Sequence, residues 1–303
     1  MLRTLKLRRG VCSAAMDAFQ DKLERGLGVP AKLSALQAPI CEALFARGWC
    51  TVDGLLNAED AALARAEASA MYADGAYAAS YSLVEETGEK LWRPNVHMME
   101  LGTESWRMAP TIVVLLSELM AALPDAINGS FLELGTTRHQ HPLLSSRIFG
   151  HKLAVSTASG ARYPKHLDNV TGGADKRKLT AVYYMNAGAW DATAHGGEIR
   201  LYDGLPPDAS GGGAFRSEEA FTDVPPVGDG GAADRLLLFW SDLLVHEVLP
   251  MHVPAGGAAD DSDARHHRHT FTLWIASEND GSLLDEHSPL YPLRVAHYPE
   301  RRE

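Results

Sequence analysis

Residues 162–172 read RYPKHLDNVTG, a tyrosine at 163 followed by His166, one spacer and Asp168. On a β-strand, positions i and i+2 point to the same face. The imidazole and the carboxylate would then aim at one point, and a metal could sit there if a further ligand arrived from elsewhere. The plain alternative is a surface strand end carrying two polar side chains. A His-x-Asp pair is too short a pattern to decide between them, so its surroundings must.

From about residue 145 short strand-like runs recur: HKLAVSTAS, KLTAVYYMN, GGEIRLYD, DRLLLFWS, LLVHEVLP and HTFTLWIA. Turn-rich pieces separate them, without interleaved helices. That texture predicts an antiparallel sandwich or barrel. The first half reads differently. Residues 13–48 have helical periodicity, with stops at Gly26, Gly28 and Gly48. WCTVDGLL reads as a strand, and NAEDAALARAEASAMYADG as a helix capped by Asn57. APTIVVLLSELMAAL reads as another helix. The polar stretch 82–102 between them reads as a loop or hairpin able to cover something. The predicted class is α+β with a mainly β core, buttressed by N-terminal helices. The predicted organisation is a helical arm over 1–40, a domain over 41–280 with its β core at 145–277, and a tail over 281–303. Two Gly/Ala-rich segments, 206–234 and 254–267, read as loops inserted between strands.

The chain has 303 residues, 46% hydrophobic and 22% charged, which is ordinary globular composition. Its net charge of −11 argues against nucleic acid as a partner, which would call for a basic footprint. The three cysteines, Cys12, Cys41 and Cys50, form no CxxC pair, so neither a disulfide framework nor a zinc ribbon is indicated. No apolar run is read as approaching the roughly eighteen residues of a membrane helix, and no membrane partner is expected. A cytoplasmic or nuclear protein is expected. The start, MLRTLKLRRGVCSAAM, is Arg-rich and acid-poor, which also fits organellar targeting.

The missing ligand has a candidate. LLVHEVLP places His246 inside an apolar strand-like run, where a lone histidine is ordinarily a core residue. RHTFTLWI opens with Arg268, and a cation leading an apolar strand wants an anionic partner. Two histidines and one carboxylate with open positions make the facial triad of non-heme Fe(II) oxygenases. A guanidinium fork suits the far carboxylate of a 2-oxo acid. Zinc would accept the same ligands but has no need of the arginine.

With YPKHLDN, TAVYYMN, AWDATAHGGEIRLY, DRLLLFWSD, HEVLP and RHTFTLW taken together, the chain resembles the Fe(II)/2-oxoglutarate-dependent prolyl 4-hydroxylases. It is nearest the oxygen-sensing, hypoxia-inducible-factor type. The resemblance runs over roughly residues 40–280. It implies a double-stranded β-helix (jelly-roll, cupin-like), with His166, Asp168 and His246 as iron ligands. Arg268 and Tyr184 would hold the 2-oxoglutarate C5 carboxylate and Thr272 would lie near the iron-bound water. Val182, Ile199, Val248 and Trp274 would wall the cosubstrate pocket, and Tyr163, Trp92 and Arg93 would meet substrate. The implied cofactors are Fe(II), 2-oxoglutarate and dioxygen, with ascorbate as reductant. The implied reaction hydroxylates a prolyl residue of a protein or peptide and releases succinate and carbon dioxide, and the stretch 82–102 would be the substrate lid.

Three departures accompany the resemblance. Ser156 stands where the animal enzymes have a tyrosine, Leu243-Leu244 replaces a charged pair, and the insertion after residue 253 leaves Arg265 as a rival to Arg268. Ser156 and the long insertions keep open an oxygenase acting on another side chain or a small molecule. A halogenase would need the position of Asp168 vacant. A metal-free β-barrel scaffold would not be expected to keep all four site residues.

Overall fold

The computed structural model of the chain describes residues 16, 17, 19–83, 87–133, 142–157, 159–169, 175–186, 190–203, 220–228, 233–252, 264–279 and 290. The first fifteen residues, most of both predicted insertions and nearly all of the tail beyond 279 lie outside these.

Eleven strands are described: β1 (Trp49–Asp53), β2 (Ala78–Leu83), β3 (Lys90–Met99), β4 (Leu144–Ser156), β5 (Tyr163–His166), β6 (Arg177–Tyr184), β7 (Ile199–Leu201), β8 (Thr222–Val224), β9 (Arg235–Trp240), β10 (His246–Val248) and β11 (Arg268–Ser277). Seven form one sheet in the order β1-β9-β6-β11-β4-β3-β2, and four form a second in the order β5-β10-β7-β8. All the pairings are antiparallel. The two sheets make the double-stranded β-helix.

Period-two alternation gives the large sheet two faces. On β11 the odd positions Phe271, Leu273 and Ile275 are fully buried, in one cluster with Leu153 and Val155 of β4, Leu179 and Tyr183 of β6, and the helical residues Ile112, Leu115 and Leu119. The even positions face the other way and build the site. Because register is fixed by burying the odd face, the even residues line up in rungs across three strands. Lys152 pairs with Thr272 and Thr272 with Val182; Gly150 pairs with Trp274 and Trp274 with Thr180; Ala154 pairs with Thr270 and Thr270 with Tyr184.

The core sheet is wider than residues 145–277. β1 pairs with β9 over five residues, and β3 pairs with β4. The stretch 82–102 is therefore one side of a hairpin continuous with the main sheet, in which β2 and β3 pair. Nor are residues 1–40 a separate arm where they are described. Val29 and Leu33, in the helix Val29–Ala35, are fully buried in the main core. The Glu118 carboxylate accepts from the Leu27 and Val29 backbone amides at 2.7 and 3.0 Å.

Lys22 makes the same attachment by charge. Its Nζ donates to Asp60 Oδ1 at 2.7 Å, and both side chains are buried. Asp60 lies in the first turn of the helix Ala58–Ala73, whose Asn57 cap accepts from the Asp60 amide at 2.9 Å. Burial would raise the Asp60 pKa, but Lys22 and Asn57 outweigh it and hold it below the usual range. The stabilisation is thus full above the unfolded pKa of about 3.9 and lost as pH falls below it. Asp60→Ala strands a buried ammonium and is expected to cost about 3 kcal/mol, read as a lower urea midpoint at pH 7, with a smaller deficit at pH 3.

The helix Pro110–Glu133 departs from the expectation about membrane helices. Its residues Pro110–Ser130 are long and apolar enough to cross a bilayer, with a mean hydropathy of 1.6. Ile112, Leu115, Leu119, Leu123 and Ile127 recur at helical spacing and are fully buried within the protein. The apolar run is a core helix, and Glu67 caps its start by accepting from the Thr111 and Ile112 amides, each at 3.0 Å.

Candidate metal centre

The even rungs of the large sheet face the small sheet across a cleft of about 470 Å³, part of it open to solvent. His166 ends β5 and His246 begins β10, and the two pair directly across the ladder. Facing pairs bring side chains to one face at about 5 Å, and here the imidazole centroids are 4.3 Å apart. Asp168 is not on the strand, as the His-x-Asp argument assumed. It follows in a bend held from outside: the Asn169 amide donates to the Ser241 carbonyl at 3.0 Å, and the Asn169 side-chain amide to the carbonyls of Asp175 and Arg177 at 2.7 and 2.8 Å. The bend brings Asp168 Oδ1 to 3.6 Å from His166 Nε2 and 3.9 Å from His246 Nε2. One ligand atom from each residue lies within 4.8 Å of the others.

The protonation pattern suits a divalent metal. His166 Nδ1 donates to the Pro164 carbonyl at 2.7 Å, and His246 Nδ1 to the Leu244 carbonyl at 2.9 Å. A carbonyl only accepts, so Nδ1 carries a proton in both rings and Nε2 is the atom turned toward Asp168, the orientation that outer-shell partners impose on metal-bound histidines. Burial pushes His246 down to about 4, leaving it neutral. Burial alone would raise Asp168, but the neighbouring imidazoles and the Trp274 N–H hold it well below the carboxylate range. Its second oxygen is fully engaged: Oδ2 accepts from Thr180 Oγ1 at 2.7 Å and from Trp274 Nε1 at 3.0 Å. Ser241 Oγ backs Thr180 at 2.8 Å. Trp274 is therefore a hydrogen-bond donor to a candidate ligand as well as the wall expected of it. Trp274→Phe keeps the wall and removes the donor; metal affinity is expected to fall about tenfold, measured by calorimetric titration with Mn(II).

The inner end of the cleft is built for an anion. Arg268 is 4% exposed and Tyr184 fully buried, with the guanidinium carbon 5.1 Å from the tyrosine ring centroid. Arg268 Nε and Tyr184 Oη are buried and have no hydrogen-bond partner among the described residues. Buried orphan donors on a cation are costly, and a bound carboxylate would satisfy both. Gly197, at φ +77, makes room: a Cβ there would come within 3.1 Å of both Arg268 Cδ and Met251 Cγ. Two imidazoles and a carboxylate around one point, with an unmatched cation further in, fit iron(II) and a 2-oxo diacid.

Val182, Ile199, Val248, Thr272, Trp274, Tyr184 and Tyr163 all line this cleft, together with the triad and Arg268. Arg265 is exposed on the short turn Ala264–His266 and takes no part in the lining, which removes it as a rival. Arg93 does not line the cleft but lies against Tyr163, its guanidinium carbon 4.7 Å from that ring. Trp92 is 59% exposed on the hairpin, packed edge-on against Tyr81. Ser156 is buried opposite Arg268 on the ladder. Sequence reasoning overlooked Lys152, Ala154, Thr180, Phe239 and Thr270, which also line the cleft. The even-position rule, applied to HKLAVSTAS and KLTAVYYMN, would have found the first three.

Residues 152–276 match the model of the 2OG-Fe(II) oxygenase superfamily. This segment is a 2OG-Fe(II) oxygenase domain. Oxygenases of that superfamily use Fe(II), 2-oxoglutarate and dioxygen. The domain is similar to the hypoxia-inducible factor prolyl hydroxylase of Caenorhabditis elegans, 34% identical over 134 residues, 43% of this chain and 14% of that protein. It is also similar to the human prolyl hydroxylase EGLN3, 38% identical over 101 residues, a third of each chain (33% and 34%). The chain thus spans about a third or less of the length of these curated relatives. Two solved structures share the fold. The Trichoplax adhaerens prolyl hydroxylase, in complex with a hypoxia inducible factor peptide fragment, has a TM-score of 0.58 and 21% identity, covering 82% of this chain and 93% of that one. A Pseudomonas putida prolyl-4-hydroxylase has a TM-score of 0.54 and 23% identity, covering 80% of this chain and all of that one.

Proposed function

We propose that the oxygenase domain hydroxylates prolyl residues, at C4, in a protein or peptide. The observation that carries the oxygenase reading is the pairing of one triad with one orphaned buried arginine in the same cleft. His166, Asp168 and His246 would hold Fe(II), and Arg268 and Tyr184 would take the far carboxylate of 2-oxoglutarate. Bound there, iron, 2-oxoglutarate and dioxygen supply the oxidising power: one oxygen atom goes into a substrate C–H bond, the other into succinate, and carbon dioxide leaves. The chain's own residues do positional work. Asn169 holds the bend that aims Asp168. Thr180 and Trp274 fix which carboxylate oxygen faces inward. Val182, Ile199 and Val248 keep the inner cleft apolar, where an ionic clamp is strongest. No side chain is required as nucleophile or base. The prolyl substrate is supported by the prolyl hydroxylases among the relatives.

The test is succinate formation from 2-oxoglutarate under air, with Fe(II) and ascorbate, in the parent and in His246→Ala, with and without proline-containing peptides. Peptide-stimulated succinate that disappears in the variant, with a +16 Da product on proline, is the expected result. Iron-dependent turnover without any oxidised proline would sink the prolyl assignment, and no iron-dependent turnover in a folded protein would sink the oxygenase.

A further inference from the structure

Lys152 lines the cleft and Arg93 lies beside it on the Tyr163 ring, and no carboxylate pairs with either among the described residues. Lys152 stands on the Thr272 rung and lines the cleft. Its Nζ lies 4.8 Å from the Trp274 ring centroid and 5.2 Å from that of Tyr163. It thus lies beside the rung whose Trp274 and Thr180 donate to Asp168. No carboxylate pairs with it among the described residues. Arg93 lies on the same Tyr163 ring, and its guanidinium donates to Ser80 Oγ, the Tyr81 carbonyl and Ser82 Oγ, all neutral acceptors. Its Nε is buried without a partner among the described residues. Arg177, 5.7 Å from the Trp274 ring, differs in being matched by Asp175.

Two cations without a carboxylate partner on one cleft-lining ring, on a chain of net charge −11, make a local positive field that favours an anionic visitor. The carboxylates of 2-oxoglutarate do not explain them. One has Arg268 and Tyr184 at the inner end, and the other would face the triad. Lys152 lies between the Tyr163 and Trp274 rings, two rungs from Arg268 on the sheet. Aromatic faces on two sides hold an ammonium while leaving its N–H donors free for a ligand.

Building on the oxygenase reading above, we propose that the cleft selects a peptide with an Asp or Glu side chain close to the residue it oxidises, the carboxylate being taken by Lys152 and reinforced by Arg93. Lys152 is then a specificity-determining residue.

The experiment is retention of a randomised nonapeptide pool on the protein loaded anaerobically with Fe(II) and 2-oxoglutarate, with the retained peptides sequenced. The parent is expected to enrich Asp and Glu about fivefold at one or two positions, the scale of a partly exposed ion pair. Lys152→Met keeps the aliphatic stem and should abolish the enrichment, and Lys152→Glu should turn it toward Lys and Arg. No retained peptides, retention without acidic preference, or an unchanged preference in Lys152→Met would overturn the proposal. So would a tenfold weaker 2-oxoglutarate affinity in Lys152→Met with peptide preference intact, which would assign the ammonium to the cosubstrate. Admitting air to the same pool tests the other reading separately. Lys152-dependent acidic enrichment without oxidised proline would retire the prolyl substrate and leave the anion site standing.

Discussion

Asp168→Ala is expected to bind Fe(II) more than about 100-fold more weakly than the parent, beyond the 10–100-fold that loss of an outer-shell partner costs, and to form no succinate. Asp168 is the one anionic member of the triad, and both imidazole Nε2 atoms face its Oδ1. Without it two imidazoles remain, too few to hold the ion on one face. The loss reaches the outer shell as well, since the Thr180 hydroxyl and the Trp274 N–H both donate to Oδ2. The substitution also strands the Trp274 N–H and the Thr180 hydroxyl, so the folded state is expected to lose about 1–3 kcal/mol as well. Metal titration by calorimetry and the urea midpoint separate the two effects. Retained iron affinity would remove Asp168 from the ligand set. Asp168→Asn keeps the shape and an acceptor, and should recover little metal affinity, because the charge is what it lacks.

The residues that proved hardest to place from sequence share one physical cause. His246 and Arg268 could be picked out because each is a polar residue in or leading an apolar strand, and His166 because an aspartate stands two residues on. Asp168 was found by the right spacing for the wrong reason. Its position comes from Asn169 gripping carbonyls at 175, 177 and, through its amide, 241, and a bend closed by distant partners leaves no local pattern. The Ser241–Thr180–Asp168 relay joins strands about sixty residues apart in the chain. The same limit applies to the sheet's edges. WCTVD was readable as a strand, but its partner β9 lies 182 residues on at the Asp53–Arg235 ion pair. The helix Pro110–Glu133 shows the converse: composition matched a membrane span, and only packing reveals that its apolar face is spent inside the protein.

Arg268→Leu is expected to weaken 2-oxoglutarate binding about 100-fold, which corresponds to the roughly 3 kcal/mol of a charge-assisted hydrogen bond to a carboxylate. Metal affinity should stay near the parent's. Arg268 stands six residues from Trp274 on β11, roughly 20 Å along the strand at about 3.3 Å per residue, and touches none of the triad. Stability should hold or rise, because leucine replaces a buried cation that has an unpartnered Nε in the absence of an anion. That combination, intact fold and metal with cosubstrate binding gone, distinguishes a clamp from a structural cation. Arg268→Lys sharpens the test. An ammonium restores the charge but not the planar fork, so affinity should recover in part, by less than a tenfold step from the parent if charge dominates and by more if the two-pronged geometry does. The exposed Arg265 supplies the control, and Arg265→Ala should leave 2-oxoglutarate affinity unchanged. Were Arg265→Ala the damaging change and Arg268→Leu the silent one, the inner end of the cleft would no longer be the carboxylate site. The orphaned donors of Arg268 and Tyr184 would then need another anion to explain them.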